Sequence, residues 1–245
     1  MYKFVVVNMT GGKAEGEKLQ HSGDDAGRAL ILANDSLHIY GKEVDALLCV
    51  GMSNYQMEHA VDSHMSARGY VKIVHPDYLN QKQAYRYTCV TVAYVKRDLN
   101  VEQICYDESG IETKYRYVAF KFDKLEVRTI HIPIADQMNK RYEEQLSRKE
   151  KMLNFEKELE EAAEKEHMKV ITCGDFNCES GNLVCHEIFD ALPFEKLLDE
   201  PTWEDKKIDN VLISSGMAGK VKAYTGDFRL GKTSDHKAVI IEVED

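Results

Sequence analysis

The sequence predicts an α/β (α+β) four-layer sandwich, in which two packed, mainly antiparallel β-sheets are flanked by helices. Two patterns lead to this prediction. Apolar runs of strand length are followed by helix-like segments in both halves of the chain. Between the halves, residues 85–132 read as strands with short polar breaks. Helices that follow strands in both halves indicate two sheets packed face to face, with the helices outside.

The first half is predicted to alternate strands and helices, with a Gly-rich polar loop over residues 10–23. Gly69 follows the second helix and is the residue favoured in the left-handed conformation that ends many helices. The predicted strands are 3–8, 45–50 and a segment that begins at 71–74, and the predicted helices are 24–38 and 54–68.

The second half contains a long charged helix, predicted over residues 137–167. Its apolar positions form a rough stripe of helical spacing that is broken at Lys149 and Glu156. We therefore expect a solvated outer helix laid on a sheet and not a coiled-coil partner. A turn of hairpin type is predicted at 107–110 and a short helix at 183–191. The strands predicted around these segments are 85–95, 101–105, 115–122, 127–132, 208–213, 220–225 and 238–243.

Composition indicates a globular protein with one domain over residues 1–245. The chain is 43% apolar and 30% charged, and no Pro/Ser-rich linker divides it. No segment approaches the ~20 apolar residues that a membrane span needs. The first residues turn polar too soon for a signal peptide. We expect a soluble cytoplasmic protein, and no obligate protein partner is evident.

The net charge of −10 argues against binding of nucleic acid over a broad electrostatic surface, because such binding depends on clustered Lys and Arg. It does not exclude a nuclease, because a divalent ion can supply positive charge locally. The six cysteines are expected to be reduced core thiols, since three lie inside apolar runs and no spacing fits a common zinc site.

Two turns that carry carboxylates adjoin apolar runs. Gly174-Asp175-Phe176-Asn177 follows the run 170–173, and Ser234-Asp235-His236 precedes the run 238–241. A buried strand holds its end residues in a fixed position, as metal binding and proton transfer require. Asn8, His131 and Asp209 also lie on runs of strand type.

Taken together and in this order, these residues resemble the endonuclease/exonuclease/phosphatase superfamily. That group contains deoxyribonuclease I, apurinic endonucleases, inositol polyphosphate 5-phosphatases and neutral sphingomyelinases. The resemblance covers nearly the whole chain, from Phe4–Asn8 to Ser234–His236, and includes Pro201-Thr202-Trp203. Each residue alone also has a structural explanation, as a turn former, a strand end or a buried histidine. Their number and order favour the functional interpretation.

The resemblance implies a role for each matched residue. Asp175 would orient or deprotonate the attacking water, and Asn177 would donate to a phosphate oxygen. His236 would act as general acid/base or as a cationic clamp on the phosphate. Asp209 would orient one of the histidines, as carboxylates commonly do for a neighbouring imidazole. His131 would bind the phosphate from the opposite side.

The resemblance also implies a divalent metal. Asn8 and Asp235 would supply oxygen ligands, which suit Mg²⁺ or Mn²⁺. The family's metal-binding Glu does not appear in the matching strand, which reads Asp45 to Gly51 and places glycine at the carboxylate position. The ion would then bind weakly, or Glu43, Asp45 or Glu58 would hold it from a displaced position.

The segment 226–233 matches the phosphate-binding loop pattern GxxxxGK[ST]. That loop requires a helix after its last residue, so that the helix N-terminus can bind phosphate. Residues 238–241 are instead predicted to form a strand, which excludes a nucleoside triphosphatase.

Three functions remain open. The first is a metal-dependent phosphodiesterase that acts on nucleic acid. The second is a phosphomonoesterase for a small or lipid-borne phosphate, and the third is a relative that binds without catalysis because Gly51 replaces the metal Glu. Basic and aromatic residues at the pocket would separate the first two, because stacking favours a nucleotide strand and a tight cationic cluster favours a polyphosphate. The candidates are Tyr85, Arg86, Arg116 and Arg229.

Overall fold

Two six-stranded sheets form the centre of the computed structural model. The structure describes residues 1–9, 25–37, 43–52, 55–75, 89–106, 115–135, 140–178, 183–226 and 234–244. The strands are β1 Tyr2–Asn8, β2 Ala46–Met52, β3 Tyr70–Ile73, β4 Val90–Lys96, β5 Glu102–Ile104, β6 Tyr117–Phe122, β7 Leu125–His131, β8 Lys169–Asp175, β9 Glu195–Lys196, β10 Asp209–Ile213, β11 Val221–Gly226 and β12 Ala238–Val243. The helices are α1 Asp25–Ser36, α2 Tyr55–Ala67, α3 Tyr142–Lys165 and α4 Leu183–Asp190.

The first sheet has the order β11-β12-β1-β2-β4-β3, and the second has the order β5-β6-β7-β8-β10-β9. Neighbouring strands are antiparallel, except for the parallel pairs β1–β2 and β7–β8 at the centre of each sheet. The prediction of two mainly antiparallel sheets is confirmed.

The alternation of apolar residues along the strands places one face of each sheet in a shared core. On β1, Phe4 and Val6 point into the core between the sheets, whereas Val5 and Val7 join a second cluster with residues of α1 and α2. A third cluster lies between the second sheet and the helices α3 and α4. The layers therefore run helix, sheet, sheet, helix, as predicted.

The elements agree with the predicted ones in type, and the ends of most shift by a few residues. Gly69 follows α2 with a φ of 83°, as predicted for a left-handed helix end. The loop predicted at 10–23 and the turn predicted at 107–110 lie outside the described residues. The first part of the strand at 85–95 and terminal residues of the helices at 24–38, 54–68 and 137–167 lie outside them as well. The strand predicted after the segment 226–233 is present as β12, so no helix follows that segment.

The helix α3 lies on the outer face of the second sheet, as predicted. Lys149 and Glu156, which break its apolar stripe, are nevertheless fully buried. Each has polar partners inside the protein: the Lys149 amine donates to the Asn177 carbonyl, and Glu156 accepts from the Thr172 hydroxyl at 2.8 Å. A charged side chain is tolerated in the interior when it is paired in this way. The buried face of α3 therefore contains paired polar side chains as well as apolar ones.

The six cysteines are all free, and four of them are buried, as expected for core thiols; Cys89 is half-buried and Cys105 is exposed, so the expectation is wrong for these two. Among the described helices, none has the length and apolar character needed to cross a membrane.

Candidate active site at one end of the sandwich

Five of the predicted site residues meet where strands end or begin. Asn8, His131 and Asp175 are the last residues of β1, β7 and β8, and Asp209 is the first of β10. The parallel pairing of β7 with β8 places His131 beside Asp175, and the antiparallel pairing of β8 with β10 places Asp209 beside Asp175 from the other side. His236 lies two residues before β12. We call this cluster of five residues the polar end of the sandwich.

A chain of hydrogen bonds joins four of these residues. Asp209 Oδ2 lies 2.8 Å from His236 Nδ1. The Asn8 amide nitrogen donates to Asp175 Oδ2 at 3.0 Å and lies 3.3 Å from His236 Nε2. Potential ligand atoms of Asp175, Asp209 and His236 all lie within 4.8 Å of one another. The predicted partnership of Asp209 with a histidine therefore exists, and that histidine is His236.

Burial sets the charges at the polar end. Burial and the neighbouring Asp209 raise the pKa of Asp175 to about 8, although His236 acts in the opposite direction. Burial by itself lowers the pKa of His236, but the charge and hydrogen bond of Asp209 outweigh it and raise this pKa to about 9. His236 is therefore an imidazolium at neutral pH in the metal-free protein.

His131 differs from His236 in charge. Its Nε2 lies 3.7 Å from Asp175 Oδ2, and its Nδ1 is buried without a hydrogen-bond partner among the described residues. Burial lowers the pKa of His131 well below its usual value, and Arg116 and His236 lower it further. The Arg116 guanidinium donates to the His131 carbonyl at 3.3 Å. The site thus pairs one charged and one neutral imidazole.

The backbone conformation of the turn at residues 174–177 explains part of its sequence. Gly174 has a φ of 139°, and a Cβ at this position would lie 2.0 Å from the carbonyl oxygen of Ile130. Only glycine fits so close to the neighbouring strand. Asn177 has a φ of 50°, and its amide N–H donates to Asp175 Oδ1 at 3.0 Å. The Asn177 side-chain amide donates to the Ile132 carbonyl at 2.9 Å, so it orients this turn.

Several residues that support the site received no role from the sequence. Ser234 Oγ donates to the Asn8 carbonyl at 2.9 Å and accepts from the His236 N–H at 3.1 Å, so it links β1 to the histidine. Thr202 Oγ1 accepts from the Asp209 N–H at 3.0 Å. Both residues belong to sequence motifs that contribute to the resemblance, Ser-Asp-His and Pro-Thr-Trp. Their position in these motifs is the sequence signal that could have identified them as supporting residues.

Gly51 lies near the polar end, because its neighbour Val50 pairs with Asn8. Its φ is 73°, in the left-handed region, at a register irregularity between β2 and β4. Glycine adopts this conformation without strain, whereas a glutamate there would add backbone strain. Position 51 offers no carboxylate.

The three carboxylates considered as replacements lie elsewhere. Glu58 is paired with Lys72 on the edge strand β3. Asp45 accepts from the Lys3 N–H at 2.8 Å, and Glu43 lies 3.4 Å from Lys96, both at the opposite end of the sheet from Asn8. None of the three is in position to substitute for a ligand at Gly51.

The donor set at the polar end suits a hard cation. Asp175 and Asp209 are buried carboxylates with oxygen atoms within 4.8 Å of each other, and a cation bound by Asp175 relieves their mutual repulsion. Asp235 is near them, 4.0 Å from His236 Nε2, and its Oδ1 is buried without a hydrogen-bond partner among the described residues. Oxygen ligands of this kind are those that Mg²⁺ and Mn²⁺ prefer.

Lys149 supports the turn that carries Asp175, because its buried amine donates to the Asn177 carbonyl. Replacing Lys149 with methionine retains the length but leaves that carbonyl unsatisfied, which costs about 1–3 kcal/mol. We expect this loss in the free energy of unfolding, together with faster amide hydrogen exchange at residues 174–178. Lys151→Met, on the exposed face of the same helix, should stay within about 0.5 kcal/mol of the wild type. Equal stability and exchange in both variants would contradict this role.

Comparison of complete structures defines the class of fold. The chain has the deoxyribonuclease I-like fold, so the predicted resemblance is confirmed at the level of the fold. It is similar to the 3′ phosphatase NExo from Neisseria, bound to a product DNA hairpin, with a TM-score of 0.68 and 16% identity over 100% of both chains. The sequence matches no family model and no curated protein.

Two further structures have the same fold. Truncated TDP2 from Caenorhabditis elegans matches with a TM-score of 0.66 and 14% identity, over 100% of this chain and 98% of that one. An AP endonuclease from Archaeoglobus fulgidus matches with a TM-score of 0.62 and 14% identity, over 100% of both chains.

Proposed function

We propose that the protein is a metal-dependent phosphodiesterase that hydrolyses nucleic acid at the polar end of the sandwich. The observation that carries this proposal is the contact of Asp209 with His236 beside the buried carboxylate of Asp175. Hydrolysis of a phosphate ester needs a base for water, charge on the phosphate oxygens and help for the leaving oxygen. The polar end holds a group suited to each task.

Asp175, Asn8 and Asp235 would hold Mg²⁺ or Mn²⁺ through oxygen atoms. The ion, when bound, supplies positive charge to the phosphate oxygens. Asp175 would also orient the attacking water or accept its proton. Its pKa of about 8 in the metal-free protein means that it releases a proton when it binds a cation.

Both histidines would contact the phosphate. His236, charged at neutral pH, donates a proton to the leaving oxygen or a charge-assisted hydrogen bond to a phosphate oxygen, and Asp209 keeps its ring in place. His131 is uncharged and contributes a hydrogen bond from the opposite side. Asn177 would donate to a phosphate oxygen.

A phosphomonoester at a nucleic-acid end is the second candidate substrate. The fold is shared with a 3′ phosphatase that was observed with a DNA product, and Arg116 adds a cation beside His131. The other residues weighed as substrate contacts, Tyr85, Arg86 and Arg229, lie outside the described residues.

The test is hydrolysis of three substrates with Mg²⁺, with Mn²⁺ and with a chelator: supercoiled plasmid, a chromogenic phosphodiester and an oligonucleotide with a 3′-phosphate. We expect metal-dependent turnover that His236→Ala reduces by roughly 10²-fold or more. His186→Ala is the matched control, because His186 is an exposed histidine of α4 that pairs with Asp190. It should retain full activity.

The pattern of results separates the candidates. Turnover of the plasmid and the chromogenic diester supports the phosphodiesterase, and turnover of the 3′-phosphate alone supports the phosphomonoesterase. Turnover that is equal in His236→Ala would contradict the assigned site. Absence of both turnover and Mn²⁺ binding would reject a hydrolase and leave the non-catalytic binder, with Gly51 as the cause.

A further inference from the structure

A cavity of about 300 Å³ opens at the end of the sandwich away from the polar end. The residues that begin the strands line it, including Tyr2 of β1 and Lys169 of β8, whereas Asn8 and Asp175 end the same strands at the polar end. Each strand has seven residues. At about 3.3 Å per residue, roughly 20 Å separate the two ends. The cavity is therefore distinct from the candidate active site.

The wall of this cavity is apolar and takes residues from both sheets. Phe122 of β6, Val243 of β12 and Met217, in the turn between β10 and β11, are buried side chains that line it. Tyr2 packs edge to face on Phe122, with ring centroids 4.8 Å apart and an interplanar angle of 74°. Such a wall accepts an apolar group, most readily a flat ring.

Three lysines line the same cavity, and each lies at a backbone position that strand pairing or a turn holds in place. Lys124 lies in the two-residue turn between β6 and β7, where Phe122 pairs with Leu125. Lys169 is the first residue of β8, and Lys220 precedes β11 with its carbonyl accepting from the Glu244 N–H at 2.8 Å. Strand ends of this kind are rigid, so the three lysines are held around one rim, although each long side chain still loses rotamer freedom when its amine binds a ligand.

The lysines lack counter-charges of their own. None of the three amines has an ion-pair partner within the part of the chain that the structure describes. The two acids that line the cavity have other contacts: Asp123 accepts from the Tyr2 hydroxyl at 3.5 Å, and Glu244 lies 3.8 Å from Lys222. In a chain of net charge −10, a rim on which three lysines outnumber two acids keeps a net positive charge.

We propose that this cavity binds a small organic anion, in which an apolar ring carries a phosphate or phosphonate group. The ring lies against Phe122, Met217 and Val243. The anionic group lies at the rim, where lysine amines donate charge-assisted hydrogen bonds to its oxygens. Neither half of the ligand suffices alone, because the wall supplies few polar partners and the rim supplies no apolar contact.

The experiment uses phenylphosphonate, whose C–P bond is not hydrolysed, with the full chain in the presence of a chelator. Binding is followed by NMR chemical shifts, and we expect saturable shifts in the millimolar range or below at residues 122–125, 217–220 and 243–244. Methylphosphonate, which lacks the ring, and benzyl alcohol, which lacks the charge, should each bind at least tenfold more weakly. Shifts at the polar end, where His236 is proposed to contact phosphate, would report a separate binding event, which His236→Ala removes while the shifts at the cavity persist.

The variant that tests the rim replaces Lys124 and Lys220 together with glutamine. We expect its affinity for phenylphosphonate to fall at least tenfold, with an unchanged thermal unfolding midpoint. Lys151→Gln alters charge on the exposed face of α3, far from the cavity, and should bind as the wild type does. Unchanged affinity in the double variant, shifts confined to the polar end, equal binding of methylphosphonate, or no binding would each overturn the proposal. These outcomes do not depend on whether the polar end is catalytic.

Discussion

Replacing Asp209 with asparagine is expected to reduce the turnover of the phosphoester substrate by about 10²–10⁴-fold, the range that a positioned acid/base group contributes. The substitution keeps the size of the side chain and removes its negative charge. His236 loses the carboxylate that lies 2.8 Å from its Nδ1. An amide in this position no longer stabilises the imidazolium, and it can hold the ring in the wrong tautomer.

The same variant should change the pH dependence in a defined direction. Burial lowers the pKa of His236, whereas Asp209 is the main group that raises it to about 9 in the wild type. The imidazolium is therefore present below about pH 9, and in Asp209→Asn it is lost at lower pH. We expect an NMR titration of His236 in the metal-free protein, and the alkaline limb of the pH–rate profile, to shift downward together.

Stability gives a readout that does not require activity. A histidine whose folded pKa is raised adds stability below its unfolded pKa of about 6.5, and that stability is lost as the pH rises through the folded pKa. Asp209→Asn should thus destabilise the protein more at pH 6 than at pH 10. Asp199→Asn is the control, since Asp199 is almost fully exposed beside Lys207. An unchanged His236 pKa in Asp209→Asn would contradict the assigned pair.

The sequence was sufficient to predict the layers of this fold, because its strands keep a strict alternation or a continuous apolar run. Val5 and Val7 face the helices of the first sheet while Phe4 and Val6 face the other sheet, so β1 is buried on both sides and reads as apolar throughout. The ends of such strands are visible in sequence as the first polar residue. Asn8 and Asp175 are such residues, and for this reason the polar end could be anticipated.

Contacts between residues far apart in sequence could not be anticipated. Lys149 and Glu156 can be interpreted from the sequence only as breaks in an apolar stripe, because their partners, Asn177 and Thr172, belong to other elements. Periodicity describes one helix at a time and contains no information about which polar group lies opposite. The hydrogen bond from Ser234 to the Asn8 carbonyl joins residues that are far apart in sequence, so it could not be predicted for the same reason. The sequence indicates that Gly51 removes a metal-binding carboxylate, and the structure shows in addition that the backbone is left-handed at that position.

Arg128 is the second position where a large effect is expected, and the effect is on stability. Its side chain is buried under α3, where the guanidinium donates to Glu126 and lies 3.6 Å from Glu156. It also lies over the ring of Tyr106, 5.5 Å from the centroid. Arg128→Met retains much of the volume but leaves two buried carboxylates without their cation. Removal of one partner from a buried ion pair costs roughly 3–5 kcal/mol, and we expect that loss in the free energy of unfolding.

The loss should grow as the pH rises. Burial already raises the pKa of Glu156, and Arg128 is the main group that opposes this rise. Without Arg128, the folded protein keeps Glu156 buried by binding a proton, which the unfolded chain releases above about pH 4.3. A folded state that binds more protons than the unfolded state becomes less stable with increasing pH. Chemical denaturation at pH 5 and pH 8 measures this difference.

Two variants decide whether charge, and not packing, is responsible. Arg148→Met removes an arginine of α3 that is partly exposed and paired with Glu144, and it should cost less than about 0.5 kcal/mol. Adding Glu126→Gln and Glu156→Gln to Arg128→Met should recover part of the lost stability at pH 8, because no uncompensated negative charge then remains from the pair. If the triple variant is no more stable than Arg128→Met at pH 8, the cost lies in packing, and the electrostatic account of this cluster is wrong.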